Sequence, residues 1–265
     1  MIVADFDGTL ADTFQPSPNG IGVTEAYKSA ILSIFGNKGN DLYQQIGGLQ
    51  NRAPGELIVA LLTVAQGYKK EILANAKAFH EKQNGNLSGL VPKGKGSGLI
   101  WTDSSPESTL SEMLVLKKLQ LLASEVSSQW PKPFPGVVSF LKQCEQCNIK
   151  FAILSSGHQL FIEKVFRVWG IQHPIMVTDD DLRGKTPYLS KPDAALMSLI
   201  LKKVPEDTPV IYLGDDPVKD GGLAVNAGIP FGWFNPSQKK FSGALPKDTL
   251  QFQNWDDLRE HLYFP

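Results

Sequence analysis

The chain has 265 residues, of which 42% are hydrophobic, and a formal net charge of −1 at pH 7. That length is enough for one large domain or two small ones with a real core. The charge balance gives no sign of a nucleic-acid or polybasic membrane surface, and the sequence shows neither a signal-peptide pattern nor a long apolar run. We therefore expect a cytoplasmic protein without nucleic-acid or membrane partners.

The first predicted element is a short buried strand at residues 2–4, and Gly8 is a natural stop after it. Asp5 and Asp7 follow this strand, two residues apart. At the carboxyl end of a strand in a parallel α/β sheet, two such carboxylates can converge on one ligand site. Their repulsion predicts that a cation or a shared proton accompanies them.

The next part of the chain, residues 15–130, is predicted to be helical. Helix-compatible apolar spacing recurs in four segments, residues 23–35, 54–65, 69–82 and 107–127, without a convincing buried strand between them. Residues 84–98 are a loop rich in Gly, Lys and Asn, and residues 130–135 are rich in proline. We predict a helical domain at residues 15–130 that is inserted as a lid between two hinges.

From about residue 131 onward, strand and helix patterns alternate. Buried strands are predicted within residues 149–154, 174–177, 210–213 and 229–234, and helices over residues 136–147, 159–169, 192–203, 218–227 and 255–262. This alternation predicts a Rossmann-like parallel sheet with helices on both faces. The α/β domain is therefore expected to comprise residues 1–14 and 131–265.

Four segments at predicted strand ends resemble, in order, the motifs of the haloacid dehalogenase-like (HAD) superfamily. They are the run from Asp5 to Leu10 (DFDGTL), the apolar strand that ends in Ser155, Lys191 in Ser-Lys-Pro-Asp, and the run from Gly214 to Asp220 (GDDPVKD). The helical insert is similar to the cap of the branch that contains β-phosphoglucomutase and phosphoglycolate phosphatase. The resemblance implies a hydrolase with a Rossmann-like core and a helical cap.

The resemblance also implies catalytic roles. Asp5 would be the nucleophile that forms an aspartyl-phosphate, and Asp7 the general acid and base. Ser155, with Ser156 as its rival, would donate its hydroxyl to the phosphoryl group, and Lys191 would neutralise the developing negative charge. Asp7 argues against a dehalogenase, because members that cleave carbon–halogen bonds lack an acid at this place.

A hard cation would offset the repulsion between carboxylates and a phosphate dianion, and the expected ion is Mg²⁺. The resemblance implies Asp5, the backbone carbonyl of Asp7, and Asp215 as its ligands. Asp216 and Asp220 are both candidates for a further ligand, either directly or through water. For Asp216, a salt bridge or a helix N-cap is an equal alternative.

The candidate substrate contacts are Gly8, Arg52, Ser156, Gly157 and His158. Backbone N–H groups near Ser156 and Gly157 would bind phosphate at the start of the next helix. His158 follows this turn and could contact the leaving group. Arg52 lies in residues 47–54, which resemble the cap substrate loop, and its guanidinium suits a carboxylate or phosphate. A solvent-exposed arginine is the equal alternative.

Together the motifs predict a Mg²⁺-dependent phosphomonoesterase that acts on a small phosphorylated metabolite. A phosphomutase of the β-phosphoglucomutase type is the alternative, because lid closure and water access decide where the phosphoryl group goes. A non-catalytic binding or regulatory protein is the third hypothesis, and the intact motif side chains disfavour it.

Overall fold

The computed structural model describes residues 1–50, 52, 54–90, 101–103, 106–182 and 189–262. The chain divides into two compact units, one formed by Met1–Phe14 and Ser127–Pro265 and the other by Gln15–Val126. The helical unit therefore ends at Val126, whereas the predicted insert ended at residue 130. The reason is that Ser127 and Trp130 exchange backbone hydrogen bonds of 2.8 and 3.1 Å, while the Trp130 ring packs on Phe161 of the first unit.

The second unit is helical. Its helices are α1 (Val23–Phe35), α2 (Lys38–Gln45), α3 (Pro54–Val64), α4 (Lys69–Ser88) and α5 (Pro106–Glu125). Buried residues of α1 recur at helical spacing and pack in one apolar core with α2, α3, α4 and α5. The short helix α2 was not predicted, because its sequence is mostly polar. Helix α4 continues to Ser88, so the predicted loop at 84–98 is helical at its start, and residues 91–98 lie outside the described residues.

The first unit is built on a six-stranded sheet. Its strands are β1 (Ile2–Ala4), β2 (Phe151–Leu154), β3 (Ile175–Val177), β4 (Ile211–Gly214), β5 (Phe231–Phe234) and β6 (Leu250–Phe252). Their spatial order is β3-β2-β1-β4-β5-β6, and every neighbouring pair is parallel. The predicted Rossmann-like α/β class is confirmed. The edge strand β6 was missed, because its sequence Leu-Gln-Phe has a polar residue at its centre and only Phe252 is buried.

Helices lie between these strands along the chain, except the last, which follows β6. They are α6 (Val137–Gln146), α7 (Gln159–Val168), α8 (Asp179–Leu182), α9 (Ala195–Lys203), α10 (Lys219–Ala227) and α11 (Trp255–His261). Side chains from β1 to β5 form one buried cluster with residues of α9 and α10. Among the described residues, we find no helix that is both long and apolar enough to cross a bilayer. The connections bring β2, β1 and β4 side by side, so their carboxyl ends share one edge of the sheet.

Candidate active site

The candidate active site lies at the carboxyl ends of three adjacent strands. Asp5 follows β1, Ser155 follows β2 and Asp215 follows β4. Strand β1 pairs with β2 on one side and with β4 on the other. Because all three strands run in the same direction, these residues leave the sheet at the edge where open α/β folds bind ligands.

Three carboxylates form a cluster at this edge. One oxygen from each of Asp5, Asp215 and Asp220 lies within 4.8 Å of the others. Asp220, in the first turn of α10, is only 1% exposed. Asp216 is not part of this cluster, because its Oδ1 accepts hydrogen bonds from the backbone N–H groups of Val218 (2.9 Å) and Lys219 (3.0 Å). Asp216 thus holds the turn that leads into α10, although the N-cap residue itself is Val218.

Lys191 bridges two members of the cluster. Its Nζ lies 2.8 Å from Asp5 Oδ2 and 2.7 Å from Asp220 Oδ1. Burial lowers the pKa of the Lys191 ammonium, but Asp220 and Asp5 raise this pKa more, so that it lies well above its ordinary value. These interactions favour the charged form of Lys191 beside Asp5.

One ammonium does not neutralise three carboxylates. Burial, and then the charges of Asp5 and Asp220, raise the pKa of Asp215 from 3.8 to about 7. Burial also raises the pKa of Asp220 to about 6, although Lys191 acts in the opposite direction. The cluster therefore lacks positive charge, and its oxygen donors fit a hard divalent cation such as Mg²⁺.

Asp7 lies beside the residues that follow β2. Thr13, which is fully buried, donates a hydrogen bond of 2.7 Å from Oγ1 to Asp7 Oδ1. A Cβ atom on Gly157 would lie 3.1 Å from Asp7 Oδ2 and 3.2 Å from Ser155 Oγ. Any other residue at position 157 would crowd both groups. Gly157 therefore leaves room between the carboxylate of Asp7 and the hydroxyl of Ser155.

The turn after β2 separates the two predicted serines. Ser155 is buried and its Oγ accepts a 2.9 Å hydrogen bond from the Gly157 N–H, whereas Ser156 is exposed. His158 is buried ahead of α7, with Nδ1 3.6 Å from Asp179 Oδ2 and 4.0 Å from Asp180 Oδ1. These contacts connect the turn to the residues that follow β3. A contact between His158 and substrate stays a prediction.

Gly8 and Thr9 bring the first motif close to Asp215. Gly8 has φ 76°, a left-handed conformation that favours glycine, and a Cβ there would lie 2.8 Å from Asp215 Oδ2. Thr9 Oγ1 donates to Asp215 Oδ1 at 3.2 Å. Gly8 therefore permits this close approach, and a contact between Gly8 and substrate stays a prediction.

Four residues with polar contacts to the site were missed in the sequence, namely Thr9, Thr13, Tyr212 and Trp233. The Tyr212 hydroxyl lies 3.3 Å from Asp220 Oδ1, and Trp233 Nε1 donates to the Asp215 carbonyl at 3.1 Å. All four residues are buried. For Tyr212 and Trp233 the available signal was a polar group inside an apolar strand, because a buried polar group needs a partner.

Arg52 belongs to the helical unit and follows α2. Its Nη1 donates to the carbonyls of Ile46 (3.0 Å) and Gly48 (2.9 Å), and its Nη2 donates to Gln50 Oε1 at 2.9 Å. The guanidinium therefore holds the loop in which it lies. A contact between Arg52 and substrate stays a prediction.

A family model described as haloacid dehalogenase-like hydrolase matches residues 99–234, just over half of the chain. The chain belongs to this family. The predicted membership of the HAD superfamily is thus confirmed. A search among proteins with curated functions found no significant match.

Solved structures share the fold of this HAD-family chain. CbbY from Rhodobacter sphaeroides in complex with phosphate is 17% identical over 97% of this chain and 95% of that chain, with a TM-score of 0.55. A predicted phosphoglycolate phosphatase from Haemophilus somnus 129pt is 14% identical (98% and 96% covered, TM-score 0.58). A 2-haloacid dehalogenase from Pseudomonas syringae pv. Tomato DC3000 is 17% identical (98% and 97% covered, TM-score 0.53). Because these names include different reactions, the fold alone does not decide the chemistry.

Proposed function

We propose that the protein is a Mg²⁺-dependent phosphomonoester hydrolase that acts on a small phosphorylated metabolite. The observation that carries this proposal is the cluster of Asp5, Asp215 and Asp220 around Lys191, whose Nζ lies 2.8 Å from Asp5 Oδ2. An anionic nucleophile next to a fixed cation suits attack on a phosphate ester, whose oxygens gain charge in the transition state. The phosphate in the similar CbbY structure supports the same substrate class.

In the proposed reaction, an oxygen of Asp5 attacks phosphorus, and the bond between phosphorus and the ester oxygen breaks. Asp7 gives its proton to the leaving alkoxide. Water then attacks the aspartyl-phosphate, Asp7 takes a proton from this water, and phosphate leaves with Asp5 restored. The position of Asp7 beside Ser155 and Gly157 supports its role as acid and base, since these residues are the candidate phosphate contacts.

Asp5, Asp215 and the backbone carbonyl of Asp7 are the proposed Mg²⁺ ligands. When bound, Mg²⁺ would neutralise carboxylate charge and polarise the phosphoryl oxygens. Both oxygens of Asp220 already accept hydrogen bonds, Oδ1 from Lys191 (2.7 Å) and Oδ2 from the Asp216 N–H (3.1 Å). We therefore propose that Asp220 acts mainly by holding Lys191, and that any contact it makes with the metal runs through water.

Asp7 supports a phosphatase over a dehalogenase, because dehalogenation in this family takes place without an acid at this position. The net charge of −1 provides no excess of positive charge for a nucleic acid or membrane surface. We therefore propose that the substrate is a small metabolite. We also propose that the protein is cytoplasmic.

The test is phosphate release from a broad panel of phosphorylated metabolites, with and without Mg²⁺, by the wild-type protein and Asp5→Asn. Asp256→Asn serves as a matched control, because it makes the same change at an exposed position of α11. We expect Mg²⁺-dependent release by wild type and Asp256→Asn and none by Asp5→Asn. Substantial release by Asp5→Asn would exclude the covalent route. An isomerised sugar phosphate would indicate a mutase, and halide release from a 2-haloacid would indicate a dehalogenase.

A further inference from the structure

Tyr212 is a polar exception in an apolar part of the core. It is fully buried in β4 and clusters with aliphatic side chains that include Val3, Leu154 and Leu196. Phenylalanine would fill the same space without burying a hydroxyl, and a buried hydroxyl is costly unless it is hydrogen-bonded. The hydroxyl of Tyr212 reaches the carboxyl edge of the sheet, where its single proton is shared between two acceptors, the Leu154 carbonyl at 3.1 Å and Asp220 Oδ1 at 3.3 Å.

The carboxylate of Asp220 is held from several sides. Its Oδ1 contacts the Tyr212 hydroxyl and the ammonium of Lys191, and its Oδ2 accepts the N–H of Asp216. A Cβ on Gly214 would lie 2.3 Å from Asp220 Oδ2, so the last residue of β4 leaves no spare room on that side. Among these contacts, the Tyr212 hydroxyl and Lys191 meet at the same oxygen of Asp220.

Lys191 depends on this arrangement for its position. Its Nζ spans Asp220 Oδ1 at 2.7 Å and Asp5 Oδ2 at 2.8 Å, and it lies 5.6 Å from the centre of the Tyr212 ring. A shift of the Asp220 carboxylate would move the ammonium relative to Asp5, because Asp220 is the more buried of the two partners that hold it, with a side chain 1% exposed against 14% for Asp5. The contacts thus run from Tyr212 through Asp220 and Lys191 to Asp5.

We propose that Tyr212 is a positioning residue, whose hydroxyl fixes the carboxylate of Asp220 so that Lys191 stays in contact with Asp5. This inference rests on the proposed function only in that Asp5 is taken as the nucleophile. Tyr212 itself does not touch the reacting atoms. Its effect is to keep a positive charge at the oxygen of Asp5.

The first test needs no activity. Crystal structures of wild type, Tyr212→Phe and Ile200→Val are compared, since Ile200 belongs to the same core cluster and carries no polar atom. In Tyr212→Phe we expect the Asp220 carboxylate to rotate and the contact between Lys191 and Asp5 to be lost, whereas Ile200→Val keeps both. Asp220→Asn should displace Lys191 in the same way, and adding Tyr212→Phe to it should move Lys191 no further. An unchanged contact between Lys191 and Asp5 in Tyr212→Phe would overturn the inference.

The second test is the split between kcat and KM. Misplacing a catalytic group can cost up to about a hundredfold, so we expect kcat of Tyr212→Phe to fall about tenfold or more while KM stays within about twofold. Ile200→Val controls for a loss of stability and should retain the wild-type kcat. An unchanged kcat in Tyr212→Phe would also overturn the inference. If the wild-type protein released no phosphate, the proposed function would fail, and the crystal structures would still decide the role of Tyr212.

Discussion

The contact between Thr13 and Asp7 allows the proposed acid and base to be tested without changing Asp7. Thr13 is fully buried, and its hydroxyl donates to Asp7 Oδ1 at 2.7 Å. Thr13→Val keeps the shape of the side chain and removes this donor. A hydrogen bond to a charged group contributes about 1.5–3 kcal/mol. Because about 1.4 kcal/mol corresponds to a tenfold change in rate, we expect kcat to fall roughly ten- to a hundredfold.

The assay compares an alkyl phosphate with p-nitrophenyl phosphate, because p-nitrophenolate leaves with little help from an acid. The loss in Thr13→Val should therefore be larger with the alkyl ester. Thr13→Ser keeps a hydroxyl and should recover most of the rate. Thr249→Val is the matched control, since it removes a hydroxyl that donates to the Pro246 carbonyl, in the same unit. Wild-type rates for Thr13→Val with the alkyl ester, or equal losses in Thr13→Ser and Thr13→Val, would refute this reasoning.

Three further predictions concern the space, the charge and the protonation of the site. Gly157→Ala should lower kcat, because its Cβ would crowd Asp7 and Ser155. Gly67→Ala, where nothing lies within 4 Å, is the control and should keep the wild-type kcat, and an unchanged kcat in Gly157→Ala would contradict the need for this space. Lys191→Met should abolish turnover. It should also lower the free energy of unfolding by about 3–5 kcal/mol, because it leaves buried carboxylates without their positive partner. Urea unfolding measures this loss, and a wild-type free energy of unfolding would contradict the prediction. Asp215 has a pKa of about 7 in the folded protein, whereas its ordinary value is 3.8. Between these two pH values, the metal-free folded protein holds a proton on Asp215 that the unfolded chain has released, so the stability of the folded protein falls as pH rises. The gain in melting temperature on adding Mg²⁺ should therefore grow as pH rises from about 5.5 to about 8.5, and a gain independent of pH would show that no proton is displaced.

The fold was largely predictable where the sequence pattern is long or strongly apolar. Strands β2 and β4 are continuous apolar runs, and α7 has a clear apolar face. The misses are elements with little pattern of their own. Strand β6 has a polar residue, Gln251, at its centre and pairs with β5 at the edge of the sheet, and α8 is a four-residue helix of Asp-Asp-Asp-Leu. Contacts with neighbouring segments stabilise such short elements, and these contacts cannot be read from the local sequence.

The site was also predictable in part. The sequence predicted that Asp5, Ser155 and Asp215 lie close together, because each follows a strand and the carboxyl ends of parallel strands share one edge of the sheet. The two remaining acids, Asp216 and Asp220, could not be separated by spacing alone. Asp216 precedes α10 and is drawn to the free N–H groups of its first turn, whereas Asp220 lies one turn later on the buried side, next to Lys191. What distinguishes two neighbouring carboxylates is therefore the start of a helix, and a sequence motif of several acids should be interpreted together with the helix that follows it.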